Sequence, residues 1–227
     1  MSWLTDFWNS YSSQILPALG QHLNLVGVSL LIGVLVAVPL GILLTRFPRQ
    51  ATPVLAVVSI FQTIPSLVFF ALLLPFLGIG PTPALTVLSI YSLLPILRNT
   101  YIGVRSVDPS LIDAARGQGM TEWEILYMVE LPLTAPVIVT GIRLAAIYLV
   151  SWATVASLIG AGGLGDLIFS GIDSYSNSLL LAGAIPTALL ALILGFLFGL
   201  LRRLVTPRGV KVELVTRPQI FPSVKVR

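Results

Sequence analysis

The stretch VDPSLIDAARGQGMTEWEILYMVELP, residues 107–132, is a polar island between two long apolar segments. It holds five of the nine acidic residues of the chain, namely Asp108, Asp113, Glu122, Glu124 and Glu130. Because the flanking segments are apolar enough to enter a bilayer and carboxylates are costly there, the island must lie in water beside a membrane.

The first half of the island carries the signals of a short helix. Asp108 is followed by Pro109, the pattern of an N-cap residue with proline at the first helical position, where a missing N–H costs nothing. Gly117 and Gly119 can adopt the left-handed conformation that ends such a helix. The sequence therefore predicts a helix from about residue 109 to the glycines.

The second half predicts another helix. Thr121 and Glu124 form a capping box, in which each side chain bonds the backbone N–H of the other residue. Pro132 is expected to end the helix, and Trp123 and Leu126 are expected to anchor it on the membrane-side bundle. A capped helix pair between two spans is commonly a plain connecting loop, so the caps alone assign no function.

The rest of the composition is that of a membrane protein. Of the 227 residues, 56% are hydrophobic and 10% are charged, unlike a soluble domain. The chain has no cysteine, which excludes disulfides, thiolate metal sites and thiol catalysis, and its one histidine, His22, excludes histidine clusters. The net charge of +4 is spread over the ends of apolar segments and does not predict a nucleic-acid partner.

Five segments are long and apolar enough to cross a bilayer, which predicts an all-α, polytopic transmembrane helical bundle. They cover residues 23–45, 53–77, 82–97, 135–158 and 179–201. Residues 1–22 predict an external amphipathic helix at the membrane interface, with His22 at the level of solvent or headgroups. Residues 23–203 then form the transmembrane domain, and residues 204–227 form a basic tail with little fixed structure.

The basic residues predict the orientation of the spans. Twelve of the thirteen fall on one side, whereas the N-terminal segment, the turn at 78–81 and the glycine-rich region 159–178 carry none. The positive-inside rule therefore predicts an external N-terminus, a cytoplasmic C-terminus and a cytoplasmic island. The thirteenth, Arg143, lies inside the fourth span and must reach the interface or a partner, for which Glu130 is the candidate.

Two glycine patterns occur outside the island. Residues 160–165, GAGGLG, match the dinucleotide string G-x-G-x-x-G, but they follow a span and not a strand, so we interpret them as a sharp turn. Gly195 and Gly199 match the small-xxx-small packing pattern and predict close helix contact within or between subunits.

No nucleophile–base arrangement, metal cluster or phosphate loop is evident, and the five spans contain no aspartate or glutamate. An enzyme is therefore not expected.

Seven residues of the island resemble the EAA signature of ABC importer permeases: Asp113, Ala114, Ala115, Gly119, Val129, Leu131 and Pro132. That signature reads Glu-Ala-Ala, three residues, Gly, nine residues, Ile, any residue and Leu-Pro. The spacing matches throughout, with aspartate for glutamate and valine for isoleucine. The resemblance implies a type I importer fold in which residues 106–132 dock into a cytoplasmic ATPase and transmit its closure to the spans.

Three further segments are similar to osmoprotectant permeases, which import glycine betaine, carnitine, choline or proline betaine. They are residues 62–67 (QTIPSL), 94–101 (LPILRNTY) and 156–166 (ASLIGAGGLGD). Methionine importer permeases carry something similar to GGLGD, so a methionine-type importer is the alternative within the class. An ATP-independent channel or a structural membrane protein is the alternative from another class.

The resemblance also implies partners in a bacterial or archaeal cell membrane. The chain would bind no cofactor; ATP and Mg²⁺ would belong to an ATPase dimer, whose two clefts call for a second permease, identical or paralogous. A binding protein would deliver the solute from outside to a pathway between the permeases. Aromatic faces hold quaternary ammonium groups, so the candidates to line it, each with ordinary packing as the alternative, are Tyr91, Tyr148 and Trp152 with the polar Gln62 and Asn99.

Overall fold

The computed structural model describes residues 2–207, with side chains from residue 7 onward, and every regular element in that range is helical. The all-α prediction is thereby confirmed. The elements in chain order are α1 (Ser2–Arg46), α2 (Pro48–Thr63), α3 (Ser66–Leu77), α4 (Pro81–Arg105), α5 (Pro109–Gly117), α6 (Glu122–Ile125), a π-helical turn (Leu126–Glu130), α7 (Leu131–Ala156), a 3₁₀ turn (Ser157–Ile159), α8 (Leu164–Asp173) and α9 (Asn177–Val205).

Four helical stretches of the described chain are long and apolar enough to cross a membrane: Phe7–Arg46, Pro81–Arg105, Glu122–Ile159 and Asn177–Val205. Helices α2 and α3 count as a fifth span when taken together, but their axes differ by 94°. The predicted number of spans therefore holds, whereas the second span is broken and not a single straight helix.

Pro65 explains the break between α2 and α3. It disfavours helical geometry at the preceding residue, and Ile64 is extended, with φ −71° and ψ 126°. The Ile64 carbonyl accepts a hydrogen bond from the Tyr91 hydroxyl at 2.7 Å, and the Gln62 side-chain amide donates to the Tyr91 carbonyl at 2.9 Å. That carbonyl is free because Pro95, four residues later, has no N–H to give. Tyr91 of α4 thus fixes the end of α2 at the bend through two hydrogen bonds.

Helix α1 corrects the predicted division at residue 22. It runs unbroken for 45 residues, about 68 Å at 1.5 Å per residue, so residues 2–22 are its first turns and not a separate interfacial helix. Ile15 and Ala18 of this part are buried in a cluster with Leu164 of α8 and Ala182 of α9. The N-terminal turns are therefore packed into the bundle.

His22 is also placed differently from the prediction. Its side chain is fully buried, and its Nε2 donates to the Val150 carbonyl of α7 at 3.1 Å. The expectation of a solvent- or headgroup-level histidine is wrong, because the continuous helix carries His22 into the space between α7 and the glycine-rich turn.

Small residues bring α1 and α4 together at the centre of the bundle. A Cβ added to Gly33 would overlap the Ser92 hydroxyl, and one added to Gly41 would lie 2.8 Å from the Thr100 side chain. Gly33 and Gly41 lie about two helical turns apart on the same face of α1, and small residues placed in this way let membrane helices approach closely. Helix α4 is accordingly covered by α1 on one side and by α7 on another.

The glycine-rich region forms the sharp turn that the sequence predicts. Gly160, Gly162 and Gly163 all have positive φ, between 76° and 98°, which glycine adopts without steric cost. Gln21 of α1 accepts the Gly163 N–H at 2.9 Å, so the turn is tied to the first helix. The short helix α8 that follows was not predicted.

Arg143 and the paired glycines of α9 meet each other within the subunit. A Cβ on Gly199 would lie 3.6 Å from the Arg143 guanidinium, and one on Gly195 would lie 3.9 Å from it. The close contact predicted for these glycines is therefore made with α7. Glu130, the partner expected for Arg143, forms its ion pair with Arg46 instead. Of the predicted tail, residues 208–227 lie outside the described part of the chain.

Candidate functional site

Helix α5 begins as its cap predicts. The Asp108 carboxylate accepts the Ser110 backbone N–H at 2.9 Å, and Pro109 occupies the first turn. This hydrogen bond to the backbone N–H of Ser110 holds the pKa of Asp108 below its usual value, because it favours the charged carboxylate. The charge at this helix terminus also complements the helix dipole.

The bend after α5 depends on Gly119. Its φ is +82°, and the Met120 N–H reaches back to the Ala115 carbonyl at 3.2 Å, which closes the helix end in the manner of a Schellman motif. A Cβ on Gly119 would meet no atom within 4 Å. Glycine is needed here for its backbone conformation and not to make room.

The capping box predicted for the second helix is present. The Thr121 N–H donates to Glu124 Oε2 at 2.7 Å, and the Glu124 N–H donates to Thr121 Oγ1 at 3.3 Å. An ion pair between Arg116 and Glu122, with a 2.9 Å N–O distance, joins α5 to α6 across the bend. Both side chains are more than half exposed, so the pair orients the helices more than it stabilises them.

Pro132 does not end the second helix, contrary to the prediction. The Leu131 N–H bonds the Leu126 carbonyl, five residues back, and the helix continues as α7. This π-helical register shifts the bonds by one residue, and the helix passes Pro132 without a break. Residues 122–156 consequently form one continuous helical rod from the island into the bundle.

An ion pair with one buried partner fixes this rod to the end of α1. Glu130, in the π turn, is buried, and its carboxylate accepts a hydrogen bond from the Arg46 guanidinium at 2.6 Å. The Arg46 side chain remains 39% exposed. Buried carboxylates need such a partner, so the position of the π turn is coupled to the position of α1.

The structure spreads the seven signature residues over one end of the bundle. Asp113, Ala114, Gly119 and Pro132 are exposed, Ala115 is buried, and Val129 and Leu131 are half-buried. Most of the signature therefore lies on an accessible surface made by α5, the bend and the π turn. The signature residues therefore lie on α5, on the bend and in the first turns of the rod.

Of the two expected anchors, only Leu126 packs inward. It is buried beside the fully buried Ile125. Trp123 is 69% exposed and stacks on the exposed Tyr127 at a centroid distance of 6.1 Å. The expectation for Trp123 is wrong, because its ring stacks on Tyr127 and stays mostly exposed.

The five candidate pathway residues occupy two kinds of position. Tyr91 is 2% exposed, its hydroxyl and carbonyl serve the bend at Pro65, and Trp152 packs on its ring at 4.6 Å. Tyr148 is 46% exposed and lies 5.6 Å from Trp152. Tyr148 therefore presents a ring to the surface, whereas Tyr91 is buried, and each of the two rings contacts Trp152.

Gln62 and Asn99 line a common cleft between α2, α4 and α7. The cleft has a volume of about 310 Å³, and Arg98 of α4 and Leu144 of α7 also line it. Arg98 is exposed and borders a second cleft of about 270 Å³ towards Ser59. The structure thus adds Arg98 to the polar residues of this face. Its place directly before Asn99 in the LPILRNTY segment was the only signal that could have found it.

Residues 30–210 match the family model described as the binding-protein-dependent transport system inner membrane component. The chain belongs to this family. The permease is 49% identical over 211 residues to the carnitine transport permease protein OpuCB of Listeria monocytogenes, covering 93% of this chain and 97% of that protein. It is 43% identical, over the same shares, to the glycine betaine/carnitine/choline transport system permease protein OpuCB of Bacillus subtilis.

Solved structures agree on the fold. A chain of the MetNI methionine ABC transporter in inward-facing conformations superposes on the permease with a TM-score of 0.80, covering 87% of this chain and 99% of that one. At 23% identity this likeness shows the type I importer fold and not the solute. The predicted fold and the osmoprotectant resemblance are both confirmed, and the relatives favour that reading over a methionine-type importer.

Proposed function

We propose that this permease is the membrane-spanning subunit of an ATP-driven importer for osmoprotectants such as glycine betaine, carnitine, choline or proline betaine. The relatives described above carry those solute names and match along nearly their whole length. The chain itself hydrolyses nothing in this scheme. ATP and Mg²⁺ are bound by a cytoplasmic ATPase dimer.

The observation that carries the coupling role is the continuous rod from Glu122 to Ala156. Its outer end is joined to α5 and the bend, which carry most of the exposed signature residues, and its inner part is the fourth span. A displacement imposed on a rigid helix at one end is transmitted to the other, whereas a flexible loop would absorb it. The 107–132 helix pair would therefore convert closure of the ATPase dimer into outward opening of the permease, and hydrolysis would reset it.

This role sets the orientation and the partners. The helix pair must face the cytoplasm to meet an ATPase, which agrees with the basic residues at that end and puts the N-terminus outside. Each permease supplies one helix pair, so an ATPase dimer engages two permeases, identical or paralogous. An extracytoplasmic binding protein delivers the solute to the opposite face.

Reconstitution tests the proposal. The permease, its ATPase and its binding protein are placed in liposomes, and uptake of radiolabelled glycine betaine, carnitine and choline is measured with and without ATP. We expect ATP-dependent uptake of at least one of them and none of methionine. Uptake that proceeds without an ATPase would show a channel, and uptake of methionine alone would show the other importer class.

A bulky residue at position 119 tests whether coupling to the ATPase can be lost while the complex still assembles. Gly119→Leu is expected to abolish ATP-driven uptake while the complex still inserts and hydrolyses ATP, because a side chain is strained at φ +82° and the bend would shift. Unchanged uptake in that variant would contradict the coupling role of the helix pair.

A further inference from the structure

The guanidinium of Arg98 has no counter-charge within the described part of the chain. The ion pairs found there join Arg46 to Glu130 and Arg116 to Asp113 and Glu122. Arg98 lies seven residues before the end of α4 at Arg105, about 10 Å inside the helix end. An exposed arginine at that depth must face water or another protein surface, since contact with acyl chains is costly.

Polar side chains share the cleft of Arg98, and an aromatic pair lies further along α7. Gln62 and Asn99 bring side-chain amides into the same cleft. On α7, Leu144 lines the cleft, and Tyr148 and Trp152 continue the same helix face at intervals of four residues. Tyr148 therefore lies about 6 Å further along α7 than Leu144. Its partly exposed ring is backed by Trp152.

This combination of groups suits a small zwitterion. A guanidinium binds a carboxylate through two parallel hydrogen bonds, and an aromatic face attracts a quaternary ammonium group. Betaines and carnitine carry both groups, separated by a few bonds. Choline carries the same ammonium group with a hydroxyl in place of the carboxylate.

We propose that Arg98 is a solute-binding residue that holds the carboxylate of zwitterionic osmoprotectants and makes this cleft favour betaines and carnitine over choline. The inference rests on the proposed function and deepens it, because it assigns a solute preference to the permease itself. Choline has no carboxylate, so its hydroxyl can accept at most a single hydrogen bond from Arg98 and does not neutralise the charge that repels the ammonium group. The cleft faces outward from the subunit, where a second permease would complete the pathway.

Equilibrium binding to the permease–ATPase complex in nanodiscs, without binding protein, tests the inference. Radiolabelled glycine betaine and choline are compared on the wild type, Arg98→Gln, Arg98→Lys and the matched control Arg105→Gln, an exposed arginine at the end of the same helix. We expect Arg98→Gln to raise the Kd for glycine betaine roughly tenfold or more and to leave the Kd for choline unchanged or lower. Arg98→Lys keeps the positive charge but loses the planar guanidinium that can form two parallel hydrogen bonds. We expect it to raise the Kd by a smaller factor, again for glycine betaine alone. Arg105→Gln should bind as the wild type does.

Several results would overturn the inference. They are equal losses for both solutes, no loss for glycine betaine in either Arg98 variant, or no binding of glycine betaine to the wild-type complex. If Arg98→Gln is not recovered as an assembled complex, the Lys variant alone decides between a selective and a non-selective change. ATP-dependent uptake by the full system is measured in parallel. If the wild-type system takes up solute but the Arg98 variants bind both solutes with equal losses, only the role of Arg98 is rejected. If the wild-type system shows no ATP-dependent uptake, the proposed function is rejected.

Discussion

The Arg46 guanidinium and the Glu130 carboxylate meet at 2.6 Å across 84 positions of sequence, between the last turn of α1 and the π turn that precedes α7. The two ends of the pair differ in environment. The Glu130 side chain is 3% exposed, whereas the Arg46 side chain is 39% exposed. Arg46 can turn to water when its partner is removed, but Glu130 cannot.

This asymmetry predicts unequal costs for the two single substitutions. Arg46→Ala leaves a buried carboxylate without a partner and should lower the free energy of unfolding by about 3–5 kcal/mol. Glu130→Gln keeps a hydrogen-bond acceptor beside a solvated arginine and should cost only about 1 kcal/mol. Thermal unfolding of the purified permease in detergent gives the order, with Arg49→Ala, an exposed neighbour of Arg46, as the control. A Glu130→Gln variant less stable than Arg46→Ala would contradict this account.

A second prediction separates the two glycines at the end of α5. Gly119 has φ +82°, whereas Gly117 is helical, and a Cβ at either position meets open space. Gly119→Ala should destabilise the helix pair by about 1–2 kcal/mol through left-handed strain. Gly117→Ala should stabilise it by about 0.5–1 kcal/mol through its helix propensity.

Hydrogen exchange of the α5 and α6 amides measures both effects, and the two variants serve as controls for each other. Faster exchange is expected in Gly119→Ala and slower exchange in Gly117→Ala. Equal behaviour would mean that the bend does not depend on the backbone conformation of Gly119.

The residues that were predicted well are those whose partners lie close in sequence. Asp108 caps a helix through Ser110, and Thr121 and Glu124 cap each other. Such contacts are determined within one turn of chain, so the residue pattern is sufficient. The apolar segments are predicted equally well, because the thickness of the membrane sets their length.

The misplaced residues depend on contacts across the bundle or on an unusual local register. His22 was assigned to the surface because nothing near it in sequence indicates Val150 as its partner. Glu130 was paired with Arg143, thirteen residues away along the chain, whereas the fold brings Arg46 to it. The sequence predicts that Pro132 ends the helix, since a pattern of residues does not reveal a π turn.

A third prediction concerns the bend between α2 and α3. Tyr91→Phe removes the hydroxyl that donates to the Ile64 carbonyl at 2.7 Å. Because Tyr91 is buried, the loss should cost about 1–2 kcal/mol in unfolding free energy. Tyr148→Phe, at an exposed ring for which no hydroxyl bond is found within the described chain, should change stability by less than about 0.5 kcal/mol.

Thermal unfolding and solute uptake together test the different places of these two tyrosines. If Tyr91 supports the bend, its Phe variant should lose stability without a selective change in the concentration of solute that half-saturates uptake. A selective weakening of solute binding at unchanged stability would instead place the Tyr91 hydroxyl in the pathway.

The last prediction concerns pH and the cap of α5. The pKa of Asp108 is depressed in the folded state by the hydrogen bond from the Ser110 N–H, so its contribution to stability is fully present above the unfolded pKa. That contribution is lost as the pH falls through the depressed folded pKa, because the protonated carboxyl is a poorer acceptor. Protection of the first α5 amides, corrected for the intrinsic pH dependence of exchange, should therefore fall in this acidic window. Asp108→Asn should remove most of the pH dependence, whereas Asp113→Asn, on the same helix but not at the cap, should preserve it. Identical acid profiles in the wild type and Asp108→Asn would show that another group governs the helix start.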